Sequence, residues 1–254
     1  MSAISPALPR KRTLAVVANR WAYGLCRHWL LVVNVLLGVY VGLPWLAPVF
    51  MKLGWTFAAQ AIYLIYSTQC HQLPERSFFL FGAQPMYSLQ QVQAVLHVNS
   101  SNPFILRQFI GTLEMGWKVA WSDRMVSLFT SLFVFGLGYA LLRKKPKSLP
   151  LWGFGLLALP MALDGSSHLV SDLAGIGLGF RDSNAWLAVL TQHVFPATFY
   201  AGDALGSFNS WLRLITGVLF GLGTVWLLFP YLNAALGDAG REIEAKFKRA
   251  NLAL

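Results

Sequence analysis

The chain has 254 residues, 56% of them hydrophobic and 12% charged, and carries a net charge of +10. That balance excludes an ordinary soluble domain and a disordered polyelectrolyte, and it fits an all-α integral membrane protein. The basic excess does not argue for nucleic acid, because it sits in short runs beside apolar segments ("PRKR", "RKKPK", "KFKR"), where Lys and Arg set membrane topology.

In chain order, residues 1–28 form a basic, interfacial segment. The apolar stretch after Arg27 is too long for a signal-peptide core and no small-residue cleavage site follows it, so it reads as a retained anchor. A crossing needs about 20 mostly apolar residues. About five transmembrane helices are predicted, at 29–50, 55–69, 126–142, 150–163 and 214–231, within a membrane domain of residues 29–235. Only "MKLG" separates the first two, which predicts a tight helical hairpin, and "RKKPKSLP" joins the third to the fourth. Pro44, Pro48 and Pro160 bend their helices without abolishing them.

Two longer connections hold most of the remaining polarity. In 70–122, "NSSNP" supplies a capping Asn or Ser and a proline, Pro103, for a first helical position; one or two short amphipathic helices are expected there. In 164–210, the glycine-rich "AGIGLGF" precedes a segment that lies in the interface or re-enters the bilayer. Gly217 and Gly221 in the fifth span form a small-xxx-small pattern suited to close helix packing. Residues 236–254 read as an amphipathic tail.

Each crossing reverses direction, so the last four spans bring four polar clusters to one face. These are Cys70-His71 with Glu75-Arg76, Ser122-Asp123-Arg124, Asp164-Gly165, and Asn209 with Arg213. Together they read as one site over a four-helix core. The densest basic loop, "RKKPK", falls on the other face, which favours an outward-facing site and a cytoplasmic C-terminus in the cell membrane.

The chemistry of the clusters has two readings. Asp164 and His168 are four apart, the spacing of two ligands on one helical face, and with His71 and Cys70 they offer N, O and S donors compatible with zinc or another divalent transition metal. No recognised metal spacing is present, and two cysteines without a CxxC pair exclude a zinc finger and a disulfide scaffold. The competing reading is a buried ion-pair network, Glu75, Asp123 and Asp164 against Arg76, Arg124 and Arg213, pinning helix ends.

Taken together, "CHQLPERSFFLFG", "WSDRMVSLF", "PMALDGSSH" and "NSWLRLITGVLFG" resemble a prokaryotic membrane-protein family known only as a domain of unknown function, number two-thousand-and-eighty-five. The resemblance covers about residues 55–230. It implies family roles for Cys70, His71, Gln72, Arg76, Ser77, Arg124, Asp164, Gly165, Asn209, Arg213, Thr216 and Gly217. Where the family pattern commonly has cysteines before the third span, this chain has Ser122 and Met125, and Cys70 lacks that partner. The resemblance implies no activity.

The functional expectation is a polar, Arg-rich pocket built by Cys70, His71, Arg76, Arg124, Asp164, Asn209 and Arg213. Three arginines to few carboxylates favour an anionic ligand such as a lipid headgroup or phosphate. One alternative is a membrane-embedded metal-dependent hydrolase with His71, Asp164 and His168 as ligands and Glu75 as general base. Another is an accessory subunit of a larger membrane complex, docked to protein partners through its long connections. Membrane lipids are the expected partners and nucleic acid is not.

Overall fold

A computed structural model describes residues 10–142 and 144–253. The chain opens with α1 (Arg10–Lys52), whose 43 residues rise about 65 Å, twice the hydrocarbon thickness of a bilayer. Its backbone leaves helical geometry at His28 (φ −112°, ψ 16°) and then resumes. After a tight turn comes α2 (Thr56–Ser67), and after the first connection α5 (Asp123–Leu141) and α6 (Leu151–Asp172). The last long helix, α10 (Phe208–Arg249), absorbs both the fifth predicted span and most of the predicted tail, with no break at residue 236.

Among the described residues, three helices are long and apolar enough to cross a membrane: Thr13–Lys52, Asp123–Leu141 and Phe208–Arg249. α2 has 12 residues and rises about 18 Å, which is short of a crossing. α6 has the length, but its C-terminal half carries Asp164, Ser166, Ser167, His168 and Ser171 among its apolar residues. Large apolar side chains stay exposed on the long helices, among them Leu31 and Leu36 of α1, Leu141 of α5, Leu156 and Leu163 of α6 and Ile215 of α10. In a membrane such faces need no protein partner.

Close packing of α5 on α10 holds the bundle together. A Cβ at Gly217 would lie 2.7 Å from Ser127 Oγ, and one at Gly221 would collide with Ser131 Oγ, so both glycines let the backbones approach. Ser127 Oγ donates to Leu214 O (2.5 Å) and Ser131 Oγ to Gly217 O (3.3 Å) across the same seam. Trp29, Tyr139, Val225 and Phe229 join α1 to this pair, with Trp29 and Tyr139 set edge-on to Phe229.

The first connection holds α3 (Leu89–Leu96) and α4 (Pro103–Leu106), and a sheet that the sequence reading lacked: β1 (Ser77–Leu80), β2 (Gly111–Thr112) and β3 (Gly116–Ser122), in the antiparallel order β1-β3-β2. Ser77 pairs with Ser122, Phe79 with Lys118 and Leu80 with Trp117. "SFFL" and "GWKVAWS" are too short to show a helical or a strand period, so only their pairing decides between them. Asn102 Oδ1 caps α4 at Phe104 N (2.9 Å) with Pro103 in the first turn, and Ser88 and Gln91 form a capping box on α3. The sheet packs beside the last turns of α1, where Lys52 Nζ sits 5.9 Å from the Phe81 ring and 6.0 Å from the Trp117 ring. Inside that layer Trp121, fully buried, touches Tyr40, Tyr66 and Phe129 at ring-centroid distances of 5.0 to 5.1 Å.

The second connection folds into α7 (Phe180–Ser183), α8 (Ala185–Leu190) and α9 (Ala197–Tyr200). α6 does not stop at Asp164-Gly165 as the sequence reading expects. Nothing in "SSHLVSD" breaks a helix, and the chain turns only at Gly175 (φ +104°) and Gly177 (φ +84°), where a left-handed backbone suits glycine.

Candidate functional site

Four segments converge on one polar region: the turn 70–76 after α2, the start of α5, the C-terminal half of α6 and the start of α10. The turn is pinned to β3. Cys70 Sγ accepts from Gln72 N and Ser122 N (3.4 Å each) and donates to Ser122 Oγ (3.5 Å). Ser122 is thus the neighbour of Cys70 at a place where the resemblance implies a cysteine, and Cys70 is a free, buried thiol. Gln72, with a left-handed backbone (φ +53°), donates from Nε2 to Tyr63 O (2.9 Å) and Ala120 O (3.0 Å).

From this turn Arg76 reaches across the molecule. Its Nη1 and Nη2 donate to Asp172 Oδ2 and Oδ1 (2.7 and 2.8 Å), a two-pronged fork, while Nε donates to Asp203 Oδ2 (2.7 Å). Arg213, on the first turns of α10, donates from Nε to both Asp123 oxygens (2.7 and 2.9 Å) and from Nη1 to Asp203 Oδ1 (2.6 Å). Asp203 therefore bridges two arginines. Burial pushes its carboxyl up, but Arg76 and Arg213 outweigh that and hold it well below the usual range.

A second branch centres on Asp164. Its Oδ2 accepts from Arg124 Nη2 (2.7 Å) and its Oδ1 from Arg181 Nη2 (2.8 Å). Arg181 also donates to Ser167 Oγ (2.7 Å) and Asn209 Oδ1 (3.1 Å), and Asn209 donates back to Arg181 O (2.7 Å). Among the described residues the network joins four guanidiniums (Arg76, Arg124, Arg181, Arg213) to four carboxylates (Asp123, Asp164, Asp172, Asp203). The expected surplus of arginine over carboxylate is thus corrected for the network as a whole. Asp172, Arg181 and Asp203 are the residues that sequence reasoning missed. Asp172 had a signal, because Asp164, His168 and Asp172 repeat at four and lie on one helical face. Arg181 and Asp203 lie in the second connection, where no period marks them.

Two cavities flank the network. The first, of about 320 Å³, is lined by Cys70, His71, Arg76, Arg124, Arg213 and Asp172, among others. Within it, Arg124 alone of these arginines keeps a buried Nε with no hydrogen-bond partner. The second, of about 350 Å³, lies on the other side of Ile176 and is lined by Glu75, Asp182 and Asp203. Glu75 is 2% exposed and neither of its oxygens has a hydrogen-bond partner. Burial pushes it up to about 7 against the pull of Arg76. Lys118, buried on β3, is lowered by burial to about 7, and its Nζ donates to Gln72 O and Arg107 O (2.7 Å each).

The residues expected to hold a metal are not gathered. His168 Nε2 stands 3.7 Å from Asp164 Oδ1, but that oxygen is taken by Arg181, and His71 is exposed at the first cavity. Among the described residues no group of three or more His, Cys, Asp or Glu is placed to hold a metal ion. Glu75, the candidate general base, faces the second cavity, which His71 does not line.

The family model described as "Predicted membrane protein (DUF2085)" matches residues 113–227. That stretch takes in Arg124, Asp164, Asn209 and Arg213, and the Cys-His-Gln turn precedes it. A relative from Methanocaldococcus jannaschii, the uncharacterized protein MJ1492, is 26% identical over 183 residues, covering 68% of this chain and 90% of its own length. No solved structure matches. Over residues 113–227 the chain matches the DUF2085 family of predicted membrane proteins, the family its motifs resemble, and its three long apolar helices likewise support a place in the membrane.

Proposed function

We propose that the first cavity binds an anionic group, the phosphate of a membrane lipid headgroup, with Arg124 as its principal contact. The observation that carries this is the unpartnered, buried Nε of Arg124 in a cavity wall with three guanidiniums (Arg76, Arg124, Arg213) and one carboxylate, Asp172. Arg76 and Arg213 have their donors committed to Asp172, Asp203 and Asp123. They serve as fixed positive charge. Among the described residues the Arg124 guanidinium gives one bond, to Asp164, and it retains donors for a phosphate oxygen. His71 stands at the rim as a second donor.

In this reading α1, α5, α6 and α10 cross the membrane, α2 packs beside α1 at partial depth, and the five predicted crossings become four. Four crossings put both termini on one face. Arg20, which donates to Ala253 O (2.7 and 3.2 Å), then shares the cytoplasmic side with the 144–147 loop and with Lys246, Lys248 and Arg249. The cavity opens on the outer face. The metal-dependent hydrolase draws no support from the positions of its candidate residues.

The test is lipid retention by native mass spectrometry of gently extracted protein. Wild type is expected to carry an anionic phospholipid, and Arg124→Ala to lose it about tenfold while keeping its thermal unfolding within a few degrees. An Arg124→Ala protein that retains the lipid as wild type does overturns the reading.

A further inference from the structure

The second cavity is separate from the site just proposed, and its walls have the opposite character. Glu75 and Asp203 are buried in it, 2% and 4% exposed, and Asp182 lines it from α7. Among the described residues no Lys, Arg or His lines it. Gln90, Gln93 and Asn99 add amide groups toward the open side, where Gln90 and Asn99 are exposed.

The two buried acids differ in how they are satisfied. Asp203 gives both oxygens to Arg76 and Arg213. Glu75 follows Pro74 in a single turn of 3-10 helix and has no hydrogen-bond partner for either oxygen. Its neighbour Arg76 points its donors to Asp172 and Asp203, and Lys118 gives its ammonium to two carbonyl oxygens. A buried carboxyl with both oxygens unmatched is costly, so its position calls for a partner that the chain does not itself supply.

We propose that this cavity is a binding site for a small organic cation bearing a primary ammonium group, with Glu75 as its counter-ion. The acids are not clustered tightly enough to chelate a metal ion, since no three of them form a metal-holding group among the described residues. An ammonium needs less. Its three N–H donors can be shared between one carboxylate and uncharged acceptors, here Glu75, with Asp182 and the amide oxygens of Gln90, Gln93 and Asn99 available nearby. About 350 Å³, open on one side, accommodates a small aminoalcohol such as ethanolamine with room to spare.

The test uses the full chain in detergent with ethanolamine as probe and ethylene glycol as its uncharged counterpart, followed by ligand-detected NMR titration. Ethanolamine is expected to bind saturably, ethylene glycol not at all, and Glu75→Gln to weaken ethanolamine at least tenfold. Asp182→Asn is expected to weaken it two- to fivefold. Arg124→Ala, which disables the first cavity, is expected to bind ethanolamine as wild type does, so failure of one site is told apart from failure of the other. Equal responses to ethanolamine and ethylene glycol in wild type overturn the proposal and leave water as the partner of Glu75. Displacement of ethanolamine by equimolar sodium or potassium also overturns it, because the site would then read charge without needing N–H donors. Should Glu75→Gln fail to fold, Asp182→Asn and the ethylene glycol comparison decide the matter alone.

Discussion

Glu75 and Lys118 are buried groups of opposite ordinary charge, both brought by burial to about 7. Glu75 faces Arg76, Asp203 and Lys118; Lys118 faces Glu75, Cys70 and Arg107. The folded state holds the Glu75 proton where the unfolded chain, near 4.5, has lost it, so stability falls as pH rises from about 4.5 to about 7. Lys118 acts in the other window. The folded state releases its proton near 7 and the unfolded chain near 10.5, so stability climbs again from about 7 to about 10.5. In denaturant unfolding across pH, the difference between wild type and Glu75→Gln should therefore change between about 4.5 and about 7 and stay flat above it; a difference that is flat across that window would refute the assignment to Glu75.

Arg213 is the residue on which the network depends most. It is 2% exposed and joins α5 through Asp123 to the second connection through Asp203. Truncating it leaves Asp123 buried without its main partner, and breaking such a pair typically costs about 3–5 kcal/mol. Arg213→Ala is expected to lower the thermal midpoint far more than Lys246→Ala, whose pair with Glu242 is exposed and loses little. Similar midpoints for the two variants would mean that the buried network contributes nothing net.

At the scale of elements, the seam between α5 and α10 is set by glycine. Gly221→Ala would drive a Cβ onto Ser131 and against Leu128 O (3.0 Å), a backbone atom that cannot swing away, and should destabilise by about 1–3 kcal/mol. Gly138→Ala, on the same α5 but with nothing within 4 Å of the new Cβ, should stabilise slightly, by up to about 1 kcal/mol. Opposite signs in a thermal-shift pair are the expected outcome. The Gly217 and Gly221 pattern is legible in the sequence alone, because four-residue spacing fixes a helical face. The sheet was not: "SFFL" and "GWKVAWS" carry no period long enough to distinguish a strand from a buried helical turn, and their partners lie up to 45 residues away.

For the whole molecule, α1 and α10 each rise more than 60 Å by length, about twice a bilayer core, so both must project beyond it. They run alongside each other at one end, where Gly240 of α10 lies against Cys26 of α1 and Arg20 meets Ala253, while the opposite end of α1 meets the sheet. In the four-crossing reading, a reporter fused after residue 254 and the N-terminus both sit in the cytoplasm. A single cysteine placed at Ala83 on a background lacking both Cys26 and Cys70 should be labelled from outside by an impermeant maleimide. Labelling only after permeabilisation would reverse the orientation.

The sequence by itself determined that the chain is mostly helical and apolar, and it named four polar clusters that the fold brings together, because those properties follow from local hydropathy and spacing. Asp123 with Arg213 and Asp164 with Arg124 were among the charges it offered for pairing, and these pairs form. Only the tertiary structure decided that α2 is too short a helix to span, that Asp172, Arg181 and Asp203 balance the arginines, and that Glu75 turns to a cavity of its own. Each of these depends on contacts between segments far apart in the chain, and the choice of partner for a buried charge is made by which donors and acceptors the packing brings within about 3 Å, a quantity that no local pattern of residues encodes.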